Sequence, residues 1–240
     1  MAVIATVVLG SAMRLWPYRL EFTLKHYAIT MAGGYAPLWT SLQVSLVAAV
    51  AGAVLLASLA FAVRRLPPAA ARGVALLAAL PVAVPGLVLG IAYVFAFNTA
   101  TWPWGALYGS ALLLALCNFY HYHTQAYVTT VTGMRAVPDA LEHACSVLGG
   151  GVRELLRDVV LPVLWPTLWS VALFLFMRSM VTLSAVIFLV TPSLTLASVT
   201  VMRLDEAGFT SQAAAFSTCI MAMVGAAGLL LQAVRRPNPR

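Results

Sequence analysis

The sequence predicts an all-α integral membrane protein. Of its 240 residues, 62% are hydrophobic and only 9% are charged, whereas soluble domains average about 25% charged residues. Residues 73–134 contain no Asp, Glu, Lys or Arg, which leaves room for two spans of about 20 residues each. The apolar runs do not alternate with polar residues, as the strands of a membrane barrel would, so we expect helices.

Six stretches are predicted as spanning helices, at 2–16, 41–63, 74–97, 108–131, 165–190 and 212–234. Only about 12 apolar residues precede Arg14 in the first, or about 18 Å of helix, against a bilayer core of about 30 Å. This fits a truncated or misassigned start, or the second half of a longer two-part membrane protein; a short tilted or interfacial helix is the alternative. The predicted organisation is an N-terminal span with an external segment (1–40), a transmembrane domain (41–234) and a cytoplasmic tail (235–240).

Basic residues are distributed unevenly between the two sides of these spans. Nine arginines fall in the connections on the side of residues 139–162, and four basic residues fall on the other side. The positive-inside rule therefore places 139–162 and the tail in the cytoplasm, and 17–40 and 191–211 outside. The same rule explains the net charge of +7 without a nucleic-acid partner.

Residues 139–162 form the charge-dense island of the chain, with four of its seven carboxylates. Asp139 stands three residues before Glu142, a spacing typical of a capping box at a helix start. Three consecutive glycines, 149–151, predict the end of this helix and a sharp reversal. A second short helix is expected over 152–161, ended by Pro162.

This segment resembles the EAA loop of binding-protein-dependent ABC importer permeases. Gly149 is followed by nine residues and then by a Val-Val-Leu161-Pro162 ending, which keeps the family register. His143, Ala144 and Cys145 occupy the Glu-Ala-Ala places, with Glu142 one position early. The resemblance implies a coupling helix that docks into an ATPase subunit, with Ala144 and Gly149 at close-packing positions. Either Glu142 replaces the usual acidic contact or the contact is apolar.

The resemblance extends over nearly the whole chain. The stretch 81–86, PVAVPG, is similar to the proline-glycine signature of the family, and the segments 15–27, 181–189 and 196–208 look most like the 2-aminoethylphosphonate subgroup. Ferric-iron and spermidine/putrescine permeases share the scaffold. The resemblance implies a type I importer (MetI-like) fold in a bacterial inner membrane. It also implies three kinds of partner, namely a pair of ATPase subunits, a second permease copy or paralogue, and a periplasmic substrate-binding protein.

No GxxxxGK[ST] phosphate loop occurs in the chain, so we expect ATP hydrolysis by a separate subunit and no enzymatic activity here. The expected function is import of a small solute, 2-aminoethylphosphonate or a related phosphonate. Ferric iron and a polyamine are the alternatives. No cofactor and no metal site are expected, because no Cys/His spacing is typical of a zinc site.

Polar residues within the predicted spans are candidates for the substrate path. Arg178 is placed near the middle of 165–190, where a charge costs at least about 2.5–3.5 kcal/mol. It either attracts an anionic substrate group or is a structural arginine held by carbonyls or a neighbouring subunit. The other candidates for the path are Thr182, Ser184, Asn118 and His121. For each of them a structural role, such as a hydroxyl bonded to its own helix, is the alternative.

The helix predicted at 74–97 contains Pro81, Pro85 and Gly86. These residues predict a bend, whose freed backbone groups a neighbouring helix or a cavity must satisfy. The bend either lines a gate or serves packing. His121 and His123 lie two positions apart and diverge by roughly 200° on a helix, so a shared metal site is not expected.

Two other classes of protein are alternatives to a permease. A secondary transporter or channel would typically carry carboxylates inside the membrane or an internal repeat, and the sequence has neither. A membrane redox protein with a haem between two histidines would need them paired across helices. Binding of an ATPase subunit separates the permease from both classes.

Overall fold

The computed structural model describes residues 2–29, 33–99 and 103–235, and only the backbone for 231–235. The predicted tail 235–240 therefore lies outside the described residues except for the backbone of Arg235. In chain order the elements are α1 (Ala2–Ala12), β1 (Met13–Leu15), β2 (Arg19–Phe22), α2 (Ala36–Arg64), α3 (Pro68–Ala79), α4 (Gly86–Phe97), α5 (Ala111–Met134), α6 (Asp139–Val147), α7 (Val152–Glu154), α8 (Leu161–Val181), α9 (Ala197–Glu206) and α10 (Thr210–Arg235). Short 3₁₀ turns lie at Lys25–Tyr27, Leu80–Ala83 and Pro103–Leu107.

Within the described ranges, three helices are long and apolar enough to cross a membrane. The bent pair Pro68–Ala83 and Gly86–Phe97 makes a fourth span if the two helices are counted as one. The three are α2, the continuous helix Val152–Val181 and α10. Helix α5 has 24 residues but is less apolar. The predicted mostly helical membrane architecture is confirmed, whereas the count of six spans stays a prediction.

The first predicted span, 2–16, is wrong at its end. Helix α1 stops at Ala12, and residues 13–22 form an antiparallel hairpin of β1 and β2. Arg14 and Glu21, on opposite strands, form an exposed ion pair of 3.0 Å. The charge of Arg14 is thus solvated in a surface hairpin, which a continued apolar helix could not provide.

The helix predicted at 74–97 is broken. Helices α3 and α4, with the 3₁₀ turn between them, meet at 105°. Val84 adopts an extended conformation, with φ −98° and ψ 119°, as the residue before a proline favours. Pro81 and Pro85 each lack a backbone N–H, so the expected bend is a full break of the helix.

The boundaries of the predicted helices 152–161 and 165–190 are both wrong. One continuous helix begins at Val152 and ends at Val181. Leu155–Val160 form a π-helical turn directly before Pro162. Because a π turn widens the hydrogen-bonding ring, it accommodates the proline that we expected to stop the helix. Thr182 then adopts an extended conformation, with ψ 128°, so α8 ends at Val181, nine residues before the predicted end at 190.

Helices α2, α5 and α8 pack together at the centre of the fold. Gly52 of α2 sets their separation, since a Cβ there would lie 2.7 Å from Phe119 and 2.8 Å from Leu175. Such small residues let membrane helices approach closely. The segment 191–211, expected as an external connection, contains α9, whose Ala197 N–H donates to the buried hydroxyl of Ser41 at 2.7 Å. The bundle is thereby closed at the end opposite α6.

Candidate functional site

Helix α6 is fastened to the end of α2 by one arginine. Arg64 Nη2 lies 2.5 Å from Asp139 Oδ1, and Nε lies 3.0 Å from Glu142 Oε1, the latter an ion pair without hydrogen-bond alignment. Arg64 Nη1 also donates to the Met134 carbonyl at the end of α5, at 2.7 Å. Three elements therefore share one guanidinium. The expected capping box is wrong, because Asp139 and Glu142 are both in the first turn and α6 has no side-chain cap.

The far end of α6 presents an apolar tip. Val147 and Leu148 are 86% and 87% exposed. Gly149 follows with φ +81° and reverses the chain. The N–H of Gly150 donates to the Cys145 carbonyl at 2.9 Å, and a Cβ on Gly150 would lie 2.6 Å from Cys145 Sγ. The helix–glycine–helix prediction is confirmed, although the second helix is the start of the long span.

A capping interaction does occur one element later. The N–H of Gly151 donates to Glu154 Oε2 at 2.9 Å, which fixes the start of the second helix. The other residues predicted for the coupling loop lie on its surface. His143, Ala144, Leu161 and Pro162 are exposed, whereas Glu142 is half-buried against Arg64.

A polar cluster lies where α8 ends against α5. The Arg178 guanidinium stacks over the Tyr122 ring, with Cζ 4.9 Å from the ring centroid. Thr182 Oγ1 lies 3.1 Å from the Tyr122 hydroxyl and 2.6 Å from the Arg178 carbonyl. Arg178 is exposed on the surface of the single chain and lies in the last turn of α8, not mid-helix as expected. Its charge therefore has a cation–π partner in place of a carboxylate.

The start of α4 completes this cluster. A Cβ on Gly86 would collide with the Ser184 hydroxyl and would lie 3.2 Å from His121 Cε1. The His121 ring contacts Tyr122 edge-on, with centroids 4.5 Å apart. Asn118, one turn away on α5, donates to Ser179 Oγ at 2.7 Å, and its buried Oδ1 has no hydrogen-bond partner among the described residues.

The structure therefore brings together candidates that lie far apart in sequence. His121, Ser184 and Gly86 meet at one point, with Arg178 and Thr182 joined to them through Tyr122. Pro85 lies directly before this point, while Pro81 is buried at the preceding turn. His123 is separate, since it stacks on Tyr120 with centroids 5.3 Å apart. The two histidines diverge, as predicted.

Two residues that connect the candidate sites are not predicted from the sequence. Arg64 contributes to the positive-inside count only, and Tyr122 lies between two histidines without a motif of its own. The sequence signal for Arg64 is a cation at a helix end, with two carboxylates at the start of another helix. The signal for Tyr122 is an aromatic residue beside polar ones. In the described part of the chain, no group of three His, Cys, Asp or Glu residues could hold a metal ion. The cluster's chemistry is one exposed guanidinium with neighbouring hydroxyls, a set that suits anionic groups.

Sequence comparison finds relatives among transport proteins. The chain is 31% identical over 198 residues to the ferric transport system permease protein FbpB 1 of Haemophilus influenzae, covering 80% of this chain and 30% of that protein. It is 26% identical to FbpB of Actinobacillus pleuropneumoniae, over 93% of this chain and 33% of the relative. The chain thus spans about a third of the length of these two relatives. No family model matches it.

A third relative is closer to this chain in length. The 2-aminoethylphosphonate transport system permease protein PhnV of Salmonella typhimurium is 23% identical over 92% of this chain and 83% of its own. A chain of a bacterial ABC transporter involved in the import of the acidic polysaccharide alginate superposes with a TM-score of 0.74 and 14% identity. The match covers 97% of this chain and 90% of that one. The chain therefore shares the fold of that chain of a bacterial ABC transporter and is similar in sequence to ferric and 2-aminoethylphosphonate transport system permease proteins.

Proposed function

We propose that the chain is a transmembrane permease subunit of an ATP-driven importer in a bacterial inner membrane. The observation that carries this proposal is the exposed apolar tip of α6, fastened to the helical bundle by Arg64. A short helix that presents two bare apolar residues beyond a membrane bundle is suited to insertion in a partner's groove. The partners are a pair of ATPase subunits, a second permease copy or paralogue, and a periplasmic substrate-binding protein.

The Arg64 contacts suggest how motion of α6 reaches the membrane. A shift of α6 on its ATPase would pull on Asp139 and Glu142, and through Arg64 on the ends of α2 and α5. Helix α5 carries His121 and Tyr122, and α4 begins at Gly86 against His121. Switching of access between the two sides is then a two-state change in which ATP favours one packing of these helices.

The proposed substrate carries an anionic group. Arg178 is exposed, and the described residues around it supply hydroxyls and an imidazole but no carboxylate. A guanidinium in that setting favours a phosphonate over a bare cation. The similarity to 2-aminoethylphosphonate transport proteins supports this substrate, with Arg178, Thr182, Ser184, Asn118 and His121 along its path.

Ferric iron is the second candidate, because the relative with the higher identity is a ferric transport system permease protein. A hard cation prefers oxygen ligands, so beside Arg178 it would pass as an anionic complex. The two candidates are distinguished by measuring uptake of labelled 2-aminoethylphosphonate and of labelled ferric iron, each in the presence of an excess of the other. A polyamine, which is cationic, fits this cluster less well.

The decisive experiment is co-purification with a candidate ABC ATPase subunit from the same organism. We expect Leu148→Asp to abolish ATPase binding while the chain remains folded, because Leu148 makes little contact within its own chain. Leu20→Asp, which changes an exposed leucine of β2 at another surface, is the matched control.

Unchanged ATPase binding by Leu148→Asp would contradict the docking role of α6. Full uptake in cells that lack any such ATPase would instead favour a secondary transporter. Both measurements are compared at equal amounts of the protein in the membrane.

A further inference from the structure

An apolar groove of about 480 Å³ runs along the outer surface between α2 and the long helix Val152–Val181. Val54, Ala57 and Phe61 line its α2 side, and Leu161, Leu164 and Trp165 line the facing side. Trp165 and Trp169 form an edge-to-face pair at the rim, with centroids 5.6 Å apart. The groove is shaped for an extended hydrocarbon chain lying parallel to the helices.

Arginines lie at the end of this groove nearest to α6. Arg65 Cζ lies 3.9 Å above the ring of Phe61, which itself lines the groove. Arg157 lies in the π-helical turn Leu155–Val160, directly after the groove-lining Leu156 and four residues before the groove-lining Leu161. Its side chain is 81% exposed. Arg153 lies in the first turn of the long helix, three residues before Leu156.

Two carboxylates share this end of the helix. Asp158 approaches Arg157 only to 4.0 Å, and Glu154 is engaged by the N–H of Gly151. Among the described residues, neither Arg65 nor Arg153 forms an ion pair within 4.0 Å. Asp139 and Glu142 line a pocket with Arg65, but both are paired with Arg64. Three arginines against Glu154 and Asp158 therefore leave this end of the groove, its mouth, with a net positive charge.

We propose that this groove is a binding site for an anionic phospholipid. One acyl chain lies between α2 and α8, and the phosphate lies against Arg65 and Arg157 at the membrane surface. Basic side chains at that level attract anionic headgroups. The apolar groove would hold the acyl chain of the same lipid in one position. The proposal is independent of the transported substrate.

A second copy of the chain is the competing occupant of the groove. A twofold axis through an isologous contact at the groove would bring like surfaces together. The arginines of both copies would then face each other, and like charges across an interface are unfavourable. The charge of the mouth therefore favours a phospholipid.

The test uses the full chain in nanodiscs with defined mixtures of phosphatidylglycerol and phosphatidylcholine, with bound lipid measured by native mass spectrometry. We expect preferential retention of phosphatidylglycerol. Arg65→Gln and Arg157→Gln should each weaken it about fivefold. Arg203→Gln, at an exposed arginine of α9, is the matched control and should leave it unchanged.

A second variant tests the groove without changing charge. Ala57→Trp would fill the space beside Phe61 and should displace the lipid while Arg65 and Arg157 remain. Equal retention of the two lipids, or equal retention by the Arg65, Arg157 and Arg203 variants, would overturn the proposal. A disulfide between two copies that carry Trp165→Cys would also overturn it, since it places a second chain on the groove.

Discussion

The Nε atom of Arg64 lies 3.0 Å from Oε1 of Glu142, which joins the last turn of α2 to the first turn of α6. The Arg64 side chain is only 18% exposed and that of Glu142 23%. Glu142 stands one position before the place where the EAA loop has its acidic residue. In this chain Glu142 is engaged by Arg64 of its own subunit, whereas Val147 and Leu148 at the tip of α6 are exposed.

Arg64→Gln should loosen α6. It removes the charged donor to Asp139 and to the Met134 carbonyl, and the ion-pair partner of Glu142. A hydrogen bond to a charged group contributes about 1.5–3 kcal/mol, and less at the exposed Asp139 carboxylate because solvent screens it. We expect a lower thermal unfolding midpoint in detergent and weaker stimulation of the ATPase by substrate. A double-mutant cycle with Glu142→Gln isolates the pair. Strict additivity of the two single changes would show that the contact contributes nothing.

The neighbouring glycines should respond differently to substitution. Gly149 has φ +81° but open space around it, so Gly149→Asn should be tolerated better than Gly149→Val. Gly150 is limited by space, since a Cβ would lie 2.9 Å from the Cys145 carbonyl oxygen, which cannot rotate away. We therefore expect Gly150→Ala to lower ATPase binding more than Gly149→Asn. Equal loss in both variants would contradict this distinction.

Gly86→Ala should impair transport by pushing the start of α4 away from Ser184 and His121. The collision is with the Ser184 hydroxyl, so Ser184→Ala in the same chain should restore part of the uptake. Gly73→Ala is the control, because nothing lies within 4 Å of a Cβ at that position of α3. Uptake assays at matched membrane levels decide the outcome, and an absence of rescue would place the defect elsewhere.

Arg178→Gln should reduce uptake of an anionic substrate through loss of the charge. Tyr122→Phe keeps the ring below Arg178 but removes the hydroxyl that contacts Thr182, so its effect should be smaller. The rise in half-saturating substrate concentration should be larger for Arg178→Gln than for Arg178→Lys. Wild-type uptake by Arg178→Gln would reduce Arg178 to a structural residue.

Local sequence signals located several elements correctly. Apolar runs predicted α2, α5 and α10 to within a few residues, and Pro138 with three glycines predicted α6 and its reversal. These features depend on neighbours in the chain, through burial of apolar surface and the restricted backbones of proline and glycine. The resemblance of 139–162 to a docking loop came from the same local spacing.

The ends of helices within the bundle depended on distant contacts. Thr182 leaves α8 because its side chain bonds to Tyr122 of α5, and its carbonyl accepts from Ser198 Oγ at 2.5 Å. No nearby residue signals that stop. The position of Pro162 inside a helix likewise depends on a π turn, which a period of 3.6 residues does not reveal.

The sequence by itself determined that the chain is a helical membrane protein with a charged helix–glycine–helix segment, because apolar length and glycine spacing act locally. Only the tertiary structure decided that Arg64 holds Glu142 and that Gly86, His121 and Ser184 meet, because both contacts join separate helices. Such contacts follow from how helices cross and where they break, and neither is encoded in the spacing along a single helix.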